Sequence, residues 1–151
     1  MKNYDEINYF DIIGMAQKSY SKLLEPICRK WDLTKNELDV LLFLYNNPQF
    51  DRAADIVARR GIAKSHVSLS ATNLEGRGLL ERHLDPADRR MAHLVLMDEG
   101  RQIAHEAQSV QRGYFSQLYQ GISEEEFLQW GEISRRVCDN IKRLSNNLTS
   151  I

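Results

Sequence analysis

The sequence predicts a mostly helical fold that carries one small β-hairpin. Apolar residues recur at spacings of three and four over most of the chain, the period of amphipathic helices. Between Arg52 and Arg77 two short helical patterns are broken at Gly61. Then Asp85-Pro86-Ala87-Asp88-Arg89-Arg90 stands as a turn between the short apolar runs Leu79-Leu80 and Leu94-Val95-Leu96. Two helices joined at a glycine and followed by an arginine-tipped hairpin predict a winged helix-turn-helix, a shape suited to gripping duplex DNA.

In chain order, Ile7, Phe10 and Ile13, then Ala16, Tyr20, Leu23 and Ile27, mark a long first helix, with a kink or break expected at Pro26. Thr34 with Glu37 three residues on is a capping box, opening a helix through Leu38, Leu41, Leu42 and Tyr45 that stops before Pro48. Asp51 is placed to cap the next helix, whose Ala54, Ile56 and Val57 should face the core. Gly61 supplies the turn, because glycine accepts a left-handed backbone. The following helix should run from Ala63 or Lys64 to Arg77, with Val67, Ala71 and Leu74 as its buried stripe. Asp98 is placed to cap a helix through Ile103, Ala107, Val110, Tyr114 and Leu118, with a bend or close contact expected at Gly113. Gly121 ends that pattern, and Ser123 with Glu126 forms a second capping box before Phe127, Trp130, Ile133, Val137, Ile141 and Leu144.

At 151 residues and 42% hydrophobic content the chain suits one compact domain. No apolar run approaches the roughly 20 residues of a membrane span, and the polar start Met1-Lys2-Asn3-Tyr4-Asp5-Glu6 is no signal peptide. Cys28 and Cys138 form neither a disulfide framework nor a metal-ligand spacing. The expected location is therefore cytoplasmic. The net charge of −1 divides unevenly: residues 52–93 hold eight bases against five acids, net +3, while the rest holds 12 against 16, net −4. Such asymmetry turns one face toward phosphates. All thirteen aromatic residues lie outside residues 51–113, so the large rings belong to the terminal helices, where they serve core packing, dimer contacts or a pocket. No Gly-rich phosphate loop, supported Ser/His/Asp arrangement or paired-acid constellation is present, which argues against an enzyme. The run Glu124-Glu125-Glu126 sits at a helix start, where carboxylates favour the dipole.

Leu33-Thr34, Arg60 to Ser68, Leu74-Glu75-Gly76-Arg77-Gly78-Leu79-Leu80-Glu81-Arg82, Asp85 to Arg90 and Asp98-Glu99-Gly100-Arg101 together resemble the multiple-antibiotic-resistance regulator (MarR) family, without gaps from Leu33 to Arg101. The resemblance implies a single domain over 1–151. Residues 33–100 form its winged helix-turn-helix, 1–32 and 114–151 its dimerisation helices, and 98–119 a linking helix. It implies a cytoplasmic homodimer that binds double-stranded DNA at a pseudo-palindromic operator as a repressor, released by a small, partly aromatic effector, with no cofactor. The alternatives are a thiol- or metal-responsive regulator on the same fold, and a winged-helix protein-interaction module without DNA binding.

The exposed side of the second helix of the motif carries Lys64, Ser65, His66, Ser68, Leu69, Thr72 and Asn73. Residues near the start of such a helix reach base edges in the major groove. Ser65, His66, Ser68 and Leu69 are the expected base readers, with Thr72 and Asn73 at the DNA backbone and Lys64 near phosphates or guanine acceptors. Ala63 stands where the family has a capping serine or threonine, and Leu69 where it has a basic residue. Leu69 suits either a thymine methyl or a neighbouring helix. In the wing, Asp88, Arg89 and Arg90 include the family's Asp-x-Arg element: an arginine at a hairpin tip can enter a narrow minor groove, held by the aspartate. By analogy with the family, the effector pocket lies between the first, second and fifth helices, with Ile13, Gln17, Tyr20, Trp31, Phe43 and Leu44 as candidates. Cys28, followed by Arg29 and Lys30, lies at the end of the first helix and is expected to be packed and inert. His66, His83, His93 and His105 are scattered, and no metal site is expected.

Overall fold

The computed structural model describes residues 9–148. Ile7 lies outside them, as does the side chain of Phe10. Helices α1 (Tyr9–Trp31), α2 (Lys35–Asn46), α3 (Ala53–Arg60) and α4 (Lys64–Gly76) precede strands β1 (Leu80–Leu84) and β2 (Ala92–Leu96). Helices α5 (Asp98–Leu118) and α6 (Glu124–Leu148) complete the described chain. The chain divides into two compact units, one reaching to Tyr114 and one from Phe115 onward.

In the first unit, α1 runs on through Pro26 to Trp31 and does not break there. A proline removes one amide donor from the ladder, and burial of Leu24 and Ile27 on either side of it holds the helix to the core. The chain then turns at Asp32, whose φ of 48° is left-handed. Both halves of the Thr34 capping box form: the Thr34 amide donates to Glu37 at 2.8 Å and the Glu37 amide to the Thr34 hydroxyl at 3.2 Å. Leu38, Val40, Leu41, Leu42, Phe43 and Leu44 are all buried, making α2 the centre of the core.

Asp51 does not cap α3. The N-cap is Arg52, whose amide is met by the Asp55 carboxylate at 3.2 Å, while the Asp51 side chain turns to His93. Ile56 is buried and Val57 packs against the core, but Ala54 is exposed and Ala53 takes the inward position. Gly61 closes α3 with φ 65° and ψ 20°, the left-handed conformation that glycine tolerates best. Helix α4 begins after Ala63 without a side-chain cap and buries Val67, Ser70, Ala71 and Leu74.

The strands β1 and β2 pair antiparallel, with Leu80 opposite Leu96, Arg82 opposite Leu94 and His83 opposite His93. Leu80, Leu94 and Leu96 point to the core; burying each such side chain is worth about 1.5–3 kcal/mol. The Met97 carbonyl accepts from Arg101 at 2.8 Å, so Asp98 begins the first turn of α5 and does not cap it. Gly100 lets α5 approach the backbone of Leu79: a Cβ there would lie 2.0 Å from the Leu79 carbonyl oxygen. At Gly113 the helix is continuous and a Cβ would meet nothing within 4 Å.

In the second unit Gly121 adopts φ 83°, and the Ser123–Glu126 capping box forms, with the Ser123 amide donating to Glu126 at 2.8 Å. Tyr119 meets the Phe127 ring edge-on at 4.9 Å between centroids. The apolar stripe of α6, Phe127, Trp130, Ile133, Val137, Ile141 and Leu144, is exposed along its length.

Candidate nucleic-acid interface

Lys64, Ser65, His66, Ser68, Leu69, Thr72 and Asn73 are all exposed on α4, while Val67, Ser70, Ala71 and Leu74 turn inward. Leu69 is 61% exposed, so no neighbouring helix covers it within the described chain. Lys64 and Ser68 line a cleft of about 400 Å³ between α3 and α4, floored by Ala53, Val57 and Ala71.

Two of the seven are already engaged. The Thr72 hydroxyl donates to the Ser68 carbonyl at 3.0 Å and accepts from Arg82 of β1 at 3.1 Å. Asn73 donates through Nδ2 to the buried Glu37 of α2 at 3.0 Å. Burial pushes the Glu37 carboxyl up, but the bonds from Thr34 and Asn73 outweigh it and hold its pKa below the ordinary carboxylate value. The far end of α4 is tied down too: Arg77 donates to the carbonyls of Asp32 at 2.6 Å and Trp31 at 2.8 Å. Lys64, Ser65, His66, Ser68 and Leu69, toward the start of the helix, make no such tie with α2 or β1 among the described residues.

Glu75 also pairs with Arg82, so the base of the wing is fixed to α4 by a charge-assisted contact. At the tip, Asp88 to Met91 form a tight turn closed by the Met91 amide donating to the Asp88 carbonyl at 2.9 Å, with Arg89 and Arg90 at its apex. Asp88 grips the Arg90 backbone amide at 3.0 Å, whereas its contact with the guanidinium is looser, 3.8 Å at Nε. The aspartate therefore shapes the turn more than it clamps the charge. The Arg90 side chain is 95% exposed. Arg89 is exposed and has no hydrogen bond or ion pair among the described residues.

His93, which no local motif marks in the sequence, sits at the foot of the wing between Asp51 at 2.8 Å and Asp85 at 3.1 Å. Hydrogen bonding to Asp51, then to Asp85, raises its pKa above the ordinary imidazole value. Asp85 is lowered in turn, first by His93 and then by the Asp88 and Ala87 amides.

The pocket candidates are spread between core and surface. Phe43 and Leu44 are buried, Ile13, Tyr20 and Trp31 are half-buried, and Gln17 is exposed. Tyr20 accepts from Gln111 of α5 at 2.7 Å and faces Tyr114 at 5.9 Å between ring centroids. Gln111 in turn accepts from Asn46 of α2 at 3.0 Å, so a polar path joins α1, α5 and α2. Burial first, then the charge of Asp39, raises the Tyr20 pKa. Asp39, whose own pKa is raised by burial, carries no motif signal because it lies between apolar residues of α2. Trp31 donates to Glu106 at 3.1 Å. Leu44 lines a separate cleft of about 360 Å³ with Tyr45, Pro48 and residues of β2. The Cys28 thiol is pushed up by burial and by Asp39, which disfavours the reactive thiolate.

The MarR family model matches residues 31–91, the span from the end of α1 to the foot of β2. The HTH-type transcriptional repressor MdtR of Bacillus subtilis is 27% identical over 140 residues, 91% of this chain and 89% of its own. Among solved structures, MepR of S. aureus in its DNA-binding conformation superposes with a TM-score of 0.80 at 21% identity, covering 89% of this chain and 99% of that one. The S. aureus MepR–DNA complex gives 0.75 at 19% identity, with 92% and 99% covered. MdtR is a transcriptional repressor, and MepR is solved bound to DNA. Residues 31–91 are thus similar to the MarR family, and the fold around them is that of solved winged-helix structures of that family.

Proposed function

We propose that this regulator is a homodimeric repressor that binds a pseudo-palindromic DNA operator through α4 and the wing and is released by a small effector. The observation that carries the reading is the wing tip: Arg89 and Arg90 stand at the apex of a hydrogen-bonded turn with their side chains in solvent, behind a helix whose N-terminal half presents free polar groups. A fixed backbone with extended guanidinium groups suits entry into a narrow, electronegative minor groove. Lys64, Ser65, His66, Ser68 and Leu69 are the base-reading set, with Leu69 suited to a thymine methyl. Thr72 and Asn73, tied to Arg82 and Glu37, are placed beside the DNA backbone.

The exposed apolar stripe of α6 supports dimerisation, because a contiguous run including Trp130 and Ile133 in water is costly unless a second copy covers it. A two-fold dimer places two recognition helices about 34 Å apart, one turn of duplex. No helix among the described residues is long and apolar enough to cross a membrane, and work in the cytoplasm fits a DNA partner. For the effector, Tyr20, Trp31 and the polar path to Gln111 and Asn46 are the supporting features. A ligand there releases DNA only if it binds better to a dimer with wrongly spaced helices.

Titrating the purified protein into labelled DNA from upstream of its own gene at two salt concentrations tests the reading. Binding that weakens steeply with salt, through counterion release, is expected. A folded dimer whose weak binding ignores salt would favour the protein-interaction module instead.

A further inference from the structure

We propose that His93 is the positioning residue of the wing: doubly protonated, its ring holds Asp51 and Asp85 at once and fixes the turn that carries Arg90. Nδ1 stands 2.8 Å from Asp51 Oδ1 and Nε2 stands 3.1 Å from Asp85 Oδ2. Asp51 belongs to the link between α2 and α3, whose backbone carbonyl also accepts from Leu94 of β2 at 2.7 Å. Asp85 opens the wing turn, and its other oxygen accepts from the amides of Ala87 at 2.7 Å and Asp88 at 3.0 Å. Asp88 then accepts from the amide of Arg90. An unbroken hydrogen-bonded path therefore runs from the helical body through one imidazole to the tip of the wing.

A neutral imidazole has one donor and one acceptor, so its bare nitrogen must face a carboxylate oxygen that can only accept. Deprotonation opens one of the two links. The remaining charged groups nearby do not replace it. His83, opposite on β1, is bound to Glu81 at 3.0 Å. Arg52 of α3 is engaged by Asp55 and by the Met91 sulfur, and Arg101 of α5 lines the cleft beside Asp51 without bonding it. The two carboxylates raise the pKa of His93. The stabilisation is therefore complete below the ordinary imidazole value of about 6.5 and is lost as pH rises through the higher folded value.

The test follows the His93 ring and the amides of Ala87, Asp88 and Arg90 by NMR in the full chain between pH 6 and 9. His93 should titrate above the ordinary value. Protection of the three amides, corrected for intrinsic exchange, should fall about tenfold through the same midpoint, the worth of one charge-assisted hydrogen bond. His93→Gln, which donates from one end of its amide and only accepts at the other, should show the high-pH protection at every pH. Asp51→Asn, which leaves the bonds of the turn itself intact, should lower the midpoint. A midpoint at or below the ordinary value, or an unchanged profile in His93→Gln, overturns the proposal. The consequence for affinity rests on the DNA-binding reading: operator binding should weaken through the same midpoint in the wild type and lack that step in His93→Gln. Because the amide measurement uses no DNA, failure to bind any operator would count against that reading alone.

Discussion

Arg77, at the end of α4, donates to the carbonyl of Asp32 at 2.6 Å, and Asp32 is a non-glycine residue whose left-handed backbone turns α1 into α2. The same guanidinium takes the Trp31 carbonyl, so one side chain satisfies two helix-end acceptors and fixes where α4 stops. Arg77→Ala should lower stability by about 1 kcal/mol, less than the roughly 1.5–3 kcal/mol usual for bonds from a charged donor because the site is exposed. Arg77→Lys, which cannot fork to both carbonyls, should recover only part of the loss. Urea midpoints of the three proteins check this.

Gly100 and Gly113 lie on the same helix and predict opposite outcomes. A methyl at Gly100 would meet the Leu79 carbonyl at 2.0 Å, so Gly100→Ala should cost at least about 2 kcal/mol as the wing root is forced from α5. At Gly113 there is open space, and Gly113→Ala should stabilise the helix by up to about 1 kcal/mol. Thermal melts of the pair give the signs directly.

Glu37 joins the cap of α2 to Asn73 of α4 and is buried. Its folded pKa lies below its unfolded value, so its contribution is complete above about pH 4.3 and is lost as pH falls through the folded value. Glu37→Gln should be less stable at pH 7 by about 1 kcal/mol and should lose part of the acid-side slope. Unfolding at a series of pH values between 3 and 7 checks it.

The helical framework was legible in the sequence because its signals are local. The Thr34 and Ser123 capping boxes, the glycine between α3 and α4, and the stripe of Val67, Ala71 and Leu74 each depend on residues within one or two turns. What escaped was long-range. Asp51 has the right chemistry for a helix cap, but His93, 42 residues away, claims its side chain, and the bond from Asn73 to Glu37 spans 36 residues. Pro26 signals a break in any sequence, yet the packing of Leu24 and Ile27 keeps α1 continuous. The wing arginines were legible for the opposite reason: a turn with no core partner leaves its side chains where local chemistry puts them.

Trp130 and Ile133 lie in the exposed stripe of α6 and should be buried between copies in solution. Trp130→Glu with Ile133→Lys should shift the protein from dimer to monomer at micromolar concentration, read by light scattering. A wild-type protein that is already monomeric there would remove the dimer from the account.

The central claim is that the wing tip grips DNA. The most direct test compares the wild type and Arg90→Ala for binding to the DNA upstream of the gene, in the same buffer at moderate salt, with folding checked by circular dichroism. Loss of a desolvated minor-groove guanidinium predicts at least about a tenfold weaker affinity, corresponding to roughly 1.4 kcal/mol. Equal affinity of the two folded proteins would contradict it.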